Sequence, residues 1–89
     1  MRQKAKRDTL ETQIVDALRL RGIFVVRLSD PGFPDLACWR EGWAYIVPIE
    51  VKSSRGKLTA AQQKYTGPRH VVRSVEEALA VFGPLVKVP

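Results

Sequence analysis

The spacing of apolar positions changes period several times along this chain, and each change marks an element. Leu10, Ile14, Ala17 and Leu18 fall at helical spacing, and Gly22 stands where such a helix would end. Asp8 precedes the stripe and Glu11 follows three positions later, a capping-box pattern that predicts a helix opening at Asp8. Ile23 to Leu28 (IFVVRL) is β-branched and aromatic and predicts a first strand. A turn cluster, Ser29-Asp30-Pro31-Gly32, leads into a second strand over Phe33 to Arg40, where Pro34 is tolerable only at the start. Glu41-Gly42 is the hairpin turn to a third strand over Trp43 to Lys52. Pro48 within that run removes one ladder donor and points to an edge or a bulge.

Beyond the polar loop Ser53 to Lys57, Thr59 can cap a short helix running through Tyr65, which Gly67-Pro68 stops. His70 to Val72 is a short strand. Ser74 and Glu77 form a capping box for a helix whose apolar face is Val75, Leu79 and Phe82. Leu85 to Val88 is expected as a last short strand. The order is helix, three strands, helix, strand, helix: one α/β domain over residues 8–89, with a mixed sheet flanked by helices. Residues 1–7 carry four cations and no acid and are expected as a basic arm.

Composition narrows the classes. Eighty-nine residues allow a single domain with a small core. Fifteen Lys and Arg against nine Asp and Glu give +6, an excess that points to a polyanionic partner, nucleic acid first, or to a merely solvated basic surface. The single cysteine, Cys38, excludes an intramolecular disulfide and a cysteine-built zinc site, and reads as a small buried hydrophobe. No apolar run is long enough to span a membrane, and no apolar signal core follows the basic start, so an intracellular, cytoplasmic location is expected.

Chemistry concentrates between Asp30 and Lys52. Asp35 and Glu50 are carboxylates set in strand-like surroundings, and Lys52, two positions after Glu50, projects from the same strand face. If the strands pair, two acids converge at one sheet end. That is unfavourable unless a cation lies between them, and a hard divalent ion such as Mg²⁺ fits.

Gly32-x-Pro34-Asp35-Leu36, then a hairpin, then Ile49-Glu50-Val51-Lys52, then Leu58-Thr59-x-x-Gln62 resembles the PD-(D/E)xK nuclease superfamily. Within it the pattern most resembles the small stand-alone VRR-NUC domains of phage and bacterial type. The resemblance implies a restriction-endonuclease-like core in αβββαβ order plus a C-terminal helix. It implies a Mg²⁺- or Mn²⁺-dependent DNA endonuclease, with Asp35, Glu50 and the backbone carbonyl of Val51 as metal ligands and Lys52 orienting the attacking water. Glu11 matches a helix acid that helps to hold the metal, and Gln62 matches a positioning glutamine, with Gln63 as its alternative if the register slips. Beside that site, Arg27, Ser29, Arg55 and Lys57 are candidate contacts to the DNA backbone. Small members resemble Holliday-junction resolvases, so a homodimer acting on branched DNA in replication, recombination or repair is expected, with a targeting partner protein as a variant of that picture.

Other readings compete for the same residues. Asp35 could cap a turn, Glu50 and Lys52 could be an exposed strand pair, and Glu11 could be only the acid of a capping box. The whole chain could be a catalytically silent basic DNA-binding module, or a structural assembly protein. His70 reads as structural, Tyr65 as core packing in preference to base stacking, and Trp39 and Trp43 as cross-strand or interface packing.

Overall fold

A computed structural model describes residues 2–83. Its elements are α1 (Arg2–Leu20), β1 (Ile23–Arg27), β2 (Leu36–Arg40), β3 (Val47–Val51), α2 (Ala60–Lys64), β4 (His70–Val72) and α3 (Val75–Val81). The element order is the one read from the sequence. The expected strand over Leu85 to Val88 lies outside the described residues.

One expectation fails at the start. α1 begins at Arg2, so Asp8 lies inside the helix and does not open it. The physical reason is propensity: Arg2 to Arg7 are Arg, Gln, Lys and Ala, all strong helix formers, with no breaker before Asp8. The far end follows the pattern. Gly22 has φ +81°, and the amides of Arg21 and Gly22 close the last turn on Leu18 and Arg19 carbonyls.

The sheet runs β1-β2-β3-β4, antiparallel except for a parallel β3–β4 pair. Strand alternation turns Ile23, Val25, Leu36, Cys38, Ile49 and Val51 to one face, where they meet Ile14, Val15 and Leu18 of α1 and Ala78 of α3 in a single core. Cys38 is fully buried there, and burial pushes its thiol pKa up to about 12. The other face carries Phe24, Val26, Ala37, Trp39, Pro48, Glu50 and Val71, and α2 lies over its Glu50 end. Phe24 and Trp39, directly opposite in register, stack at 5.6 Å, the expected cross-strand use of Trp39. Trp43 instead stacks on Tyr45 and on Phe82 at the end of α3.

β3 is shorter than its apolar run. The backbone turns at Gly42 (φ +89°) and rejoins the ladder only at Val47, so 43–46 is loop. Pro48 disturbs nothing. Lys52 N–H donates to Val72 O, and stepping back two residues at a time along the parallel ladder would match the Pro48 nitrogen to the carbonyl of Pro68. β4 begins only at His70, and the Pro68 carbonyl accepts from the Tyr65 hydroxyl at 3.0 Å. The missing donor therefore falls where the ladder has no partner for it.

Candidate active site

The β2–β3 register pairs Leu36 with Ile49. One step further along the same register brings Asp35 opposite Glu50, both on the sheet face away from the core. The loop before Asp35 fixes its position. Leu28 N–H donates to Asp35 O at 2.8 Å, and Phe33 N–H closes a turn on Asp30 O. Gly32 has φ +88°, and a Cβ there would lie 3.1 Å from the carbonyl oxygen of Ala61. Only glycine meets both demands, so Gly32 lets α2 close over the end of the sheet.

Each carboxylate has one oxygen held by the fold. Asp35 Oδ2 accepts from the Val51 amide at 2.8 Å. A strand residue directs its N–H and C=O to the same side, so the Val51 carbonyl also faces the β2 edge where Asp35 sits. Glu50 is completely buried. Its Oε2 accepts from Gln62 Nε2 at 2.6 Å and lies 3.9 Å from Lys52 Nζ, whose side chain is itself buried. Its Oε1, by contrast, receives no hydrogen bond from any described residue. Burial first, then the nearby charge of Asp35, pushes the Glu50 pKa up to about 7; when protonated it donates to Asp35, while Lys52 and Arg69 pull the other way.

Gln62 performs two tasks. Its backbone N–H donates to Thr59 Oγ1 and its Oε1 accepts from Thr59 N–H, so it completes the capping box of α2. The same amide then donates its NH₂ to Glu50. Gln63 turns away and donates to Leu58 O, so of the two glutamines it is Gln62 that lies against Glu50.

These residues fit a divalent cation. A buried carboxylate oxygen without a donor, a second carboxylate opposite it and a strand carbonyl facing the same edge are hard oxygen donors. Mg²⁺ is commonly held by one or two carboxylates, with waters and phosphate completing its shell. Among the described residues no three of His, Cys, Asp and Glu converge as a metal group. Glu11 is paired elsewhere. It lies on the helix-covered side, with Oε2 3.7 Å from Arg27 Nε.

The expected DNA contacts divide. Arg27 is tied to α1 through Glu11 and through Thr12 Oγ1 at 3.2 Å, with about half its side chain exposed. Ser29 is exposed beside the site, and Arg55 and Lys57 are exposed on the loop that leaves Lys52. That loop is held by a residue the sequence did not single out for the task. Arg73 Nη1 donates to both Ser53 O and Gly56 O at 2.7 Å. Arg69 was likewise missed. Its guanidinium donates to Gln62 O at 2.6 Å, lies over the Tyr65 ring and favours the charged form of Glu50. The only signal was two arginines flanking His70, and without the parallel β3–β4 pairing nothing connects them to Glu50. No protein-family model matches the chain, and neither curated proteins nor solved structures provide a match.

Proposed function

We propose that the chain is a Mg²⁺- or Mn²⁺-dependent DNA endonuclease of the PD-(D/E)xK type, similar to the VRR-NUC domains. The reading rests on one observation: Asp35 faces Glu50 one step beyond the β2–β3 ladder, and one buried Glu50 oxygen has no donor among the described residues. A buried carboxylate left incompletely paired is costly, and a fold keeps such a group where a ligand completes it. A silent DNA-binding module or a structural protein has no use for that cost beside a polyanion.

In this reading Asp35, Glu50 and the Val51 carbonyl hold the cation, which when bound polarises a phosphate oxygen and supplies hydroxide near neutral pH. Gln62 fixes the Glu50 carboxylate through its 2.6 Å bond. Lys52, on the same strand face as Glu50, orients the attacking water and offsets charge growing on the phosphate. Arg55 and Lys57 grip the backbone beyond the cut. The enzyme acts inside the cell on branched DNA as a pair of identical chains, and the edge position of β1, with Phe24 and Val26 about half-exposed, supports such pairing.

The test is cleavage of a labelled four-way junction beside linear duplex and single strand, with Mg²⁺ or Mn²⁺. Paired cuts that vanish in EDTA and in Asp35→Ala are the expected result. Binding without cutting in either metal would replace the nuclease reading with that of a binding module.

A further inference from the structure

A cleft of about 610 Å³ opens on the uncovered sheet face next to the acid pair. Phe33, Pro34, Pro48 and Tyr65 line it, and Ser29 and Asp30 are among its polar lining residues. Its position is set by the same register as the site. Pro34 precedes Asp35, and Pro48 stands two residues before Glu50 on the same strand face, roughly 7 Å along the strand. The cleft therefore begins within one nucleotide of the carboxylates.

Its chemistry is selective. Phe33 is 48% exposed, so a ring face is offered to solvent at a place where a small core would gain by burying it. The ring is not loose: Tyr65 packs against it perpendicularly, ring centroids 5.5 Å apart. Tyr65 is anchored in turn by its hydroxyl bond to Pro68 O and by Arg69 over its ring. A preorganised aromatic face with a few polar groups on one side suits a flat heteroaromatic ligand. The +6 net charge supplies complementarity to the phosphates on either side of such a ligand.

We infer that this cleft receives a single unstacked nucleobase from the strand being cut, stacked on Phe33, with Ser29 and Asp30 facing its polar edge. The inference rests on the nuclease reading for the position of the phosphate, and it narrows the substrate class. A base inside a duplex presents only its edge, so the cleft selects DNA with an unpaired nucleotide at the cut, as at a branch point, bulge or single strand.

The experiment uses the full chain in EDTA, where nothing is cut. The probes are a 2-aminopurine-labelled single strand, a duplex with one bulged 2-aminopurine, and the same duplex fully paired. The expected result is binding of the first two about tenfold tighter than the paired duplex, with a fluorescence change from stacking. Phe33→Ala should abolish both the preference and the signal and leave paired-duplex affinity unchanged, and Phe33→Trp should restore them. Because Phe33 is half-exposed, a melting curve suffices to verify that both variants fold. Equal affinity of the native chain for paired and unpaired probes would overturn the inference. So would a preference that survives Phe33→Ala, which would leave the cleft to an apolar peptide. Cleavage tests separate the two readings. Metal-dependent cutting of fully paired duplex, unaffected by Phe33→Ala, would sink the cleft and keep the nuclease; base capture in EDTA with no cutting in any metal would do the reverse.

Discussion

Glu50→Gln should make this protein more stable at pH 8 and indifferent to pH where the native chain is sensitive. Glu50 is fully buried, and its pKa rises from 4.5 to about 7 because burial and Asp35 both disfavour the charge. The folded state thus holds a proton that the unfolded state releases near pH 4.5. Its stabilising contribution is complete below that pH and is lost as the pH rises through about 7. The displacement corresponds to a cost of about 3 kcal/mol at pH 8, a large part of the roughly 5–15 kcal/mol that holds a domain together. The glutamine is uncharged, and its carbonyl oxygen can still accept from Gln62. Urea titrations in EDTA, followed by Trp39 and Trp43 fluorescence, should show the native chain losing about 3 kcal/mol relative to Glu50→Gln between pH 4.5 and pH 8. Added Mg²⁺ should return most of that loss to the native chain at pH 8 and none to the variant. A difference between the two proteins that is the same at both pH values would refute the buried-carboxylate argument. A pH-dependent difference that Mg²⁺ does not touch would remove the metal from it.

Three further outcomes follow from the geometry. Gln62→Ala removes both the side-chain half of the α2 capping box and the hydrogen bond to Glu50 Oε2, and should cost about 2–3 kcal/mol by urea titration. Gly32→Ala combines an unfavourable positive φ with the 3.1 Å approach to Ala61, so it should cost more than about 1 kcal/mol and lower metal affinity by displacing Asp35, measurable by calorimetric Mn²⁺ titration. Replacing Arg55 and Lys57 together by Ala should flatten the slope of log affinity against log salt for single-stranded DNA by about 1.4, with the Glu50→Gln pH signature retained; an unchanged slope would remove that loop from the DNA path.

Local rules carried much of this protein in its sequence. Period-2 alternation in β1 to β3 fixed which residues enter the core, because a one-residue slip would turn every apolar side chain to water. Thr59, Ser74 and Gly22 stop or start helices through bonds to residues within a few positions, so their effect is readable from the chain alone. Alternation alone puts Asp35 and Glu50 on one face, but a two-residue turn at Glu41-Gly42 would have set Asp35 opposite Pro48; the longer 41–46 connection shifts the register by two and brings Glu50 there instead. At Ser74 only half of the local rule held: its hydroxyl accepts from Glu77 N–H, but the Glu77 carboxylate goes to Arg73 N–H.

What the sequence left open depends on contacts between distant segments. The parallel β3–β4 pairing has no local signal, since a crossover and not a turn joins the strands. That pairing brings Arg69 beside Gln62, sets Arg73 across the 53–56 loop and makes Pro48 harmless. Tertiary packing likewise drew Glu11 to Arg27 on the helix side, while leaving one Glu50 oxygen buried without a donor among the described residues. Burial and desolvation are properties of the assembled fold. The sequence could place two acids on one face, but only the closed structure could make one of them hold its proton near neutral pH.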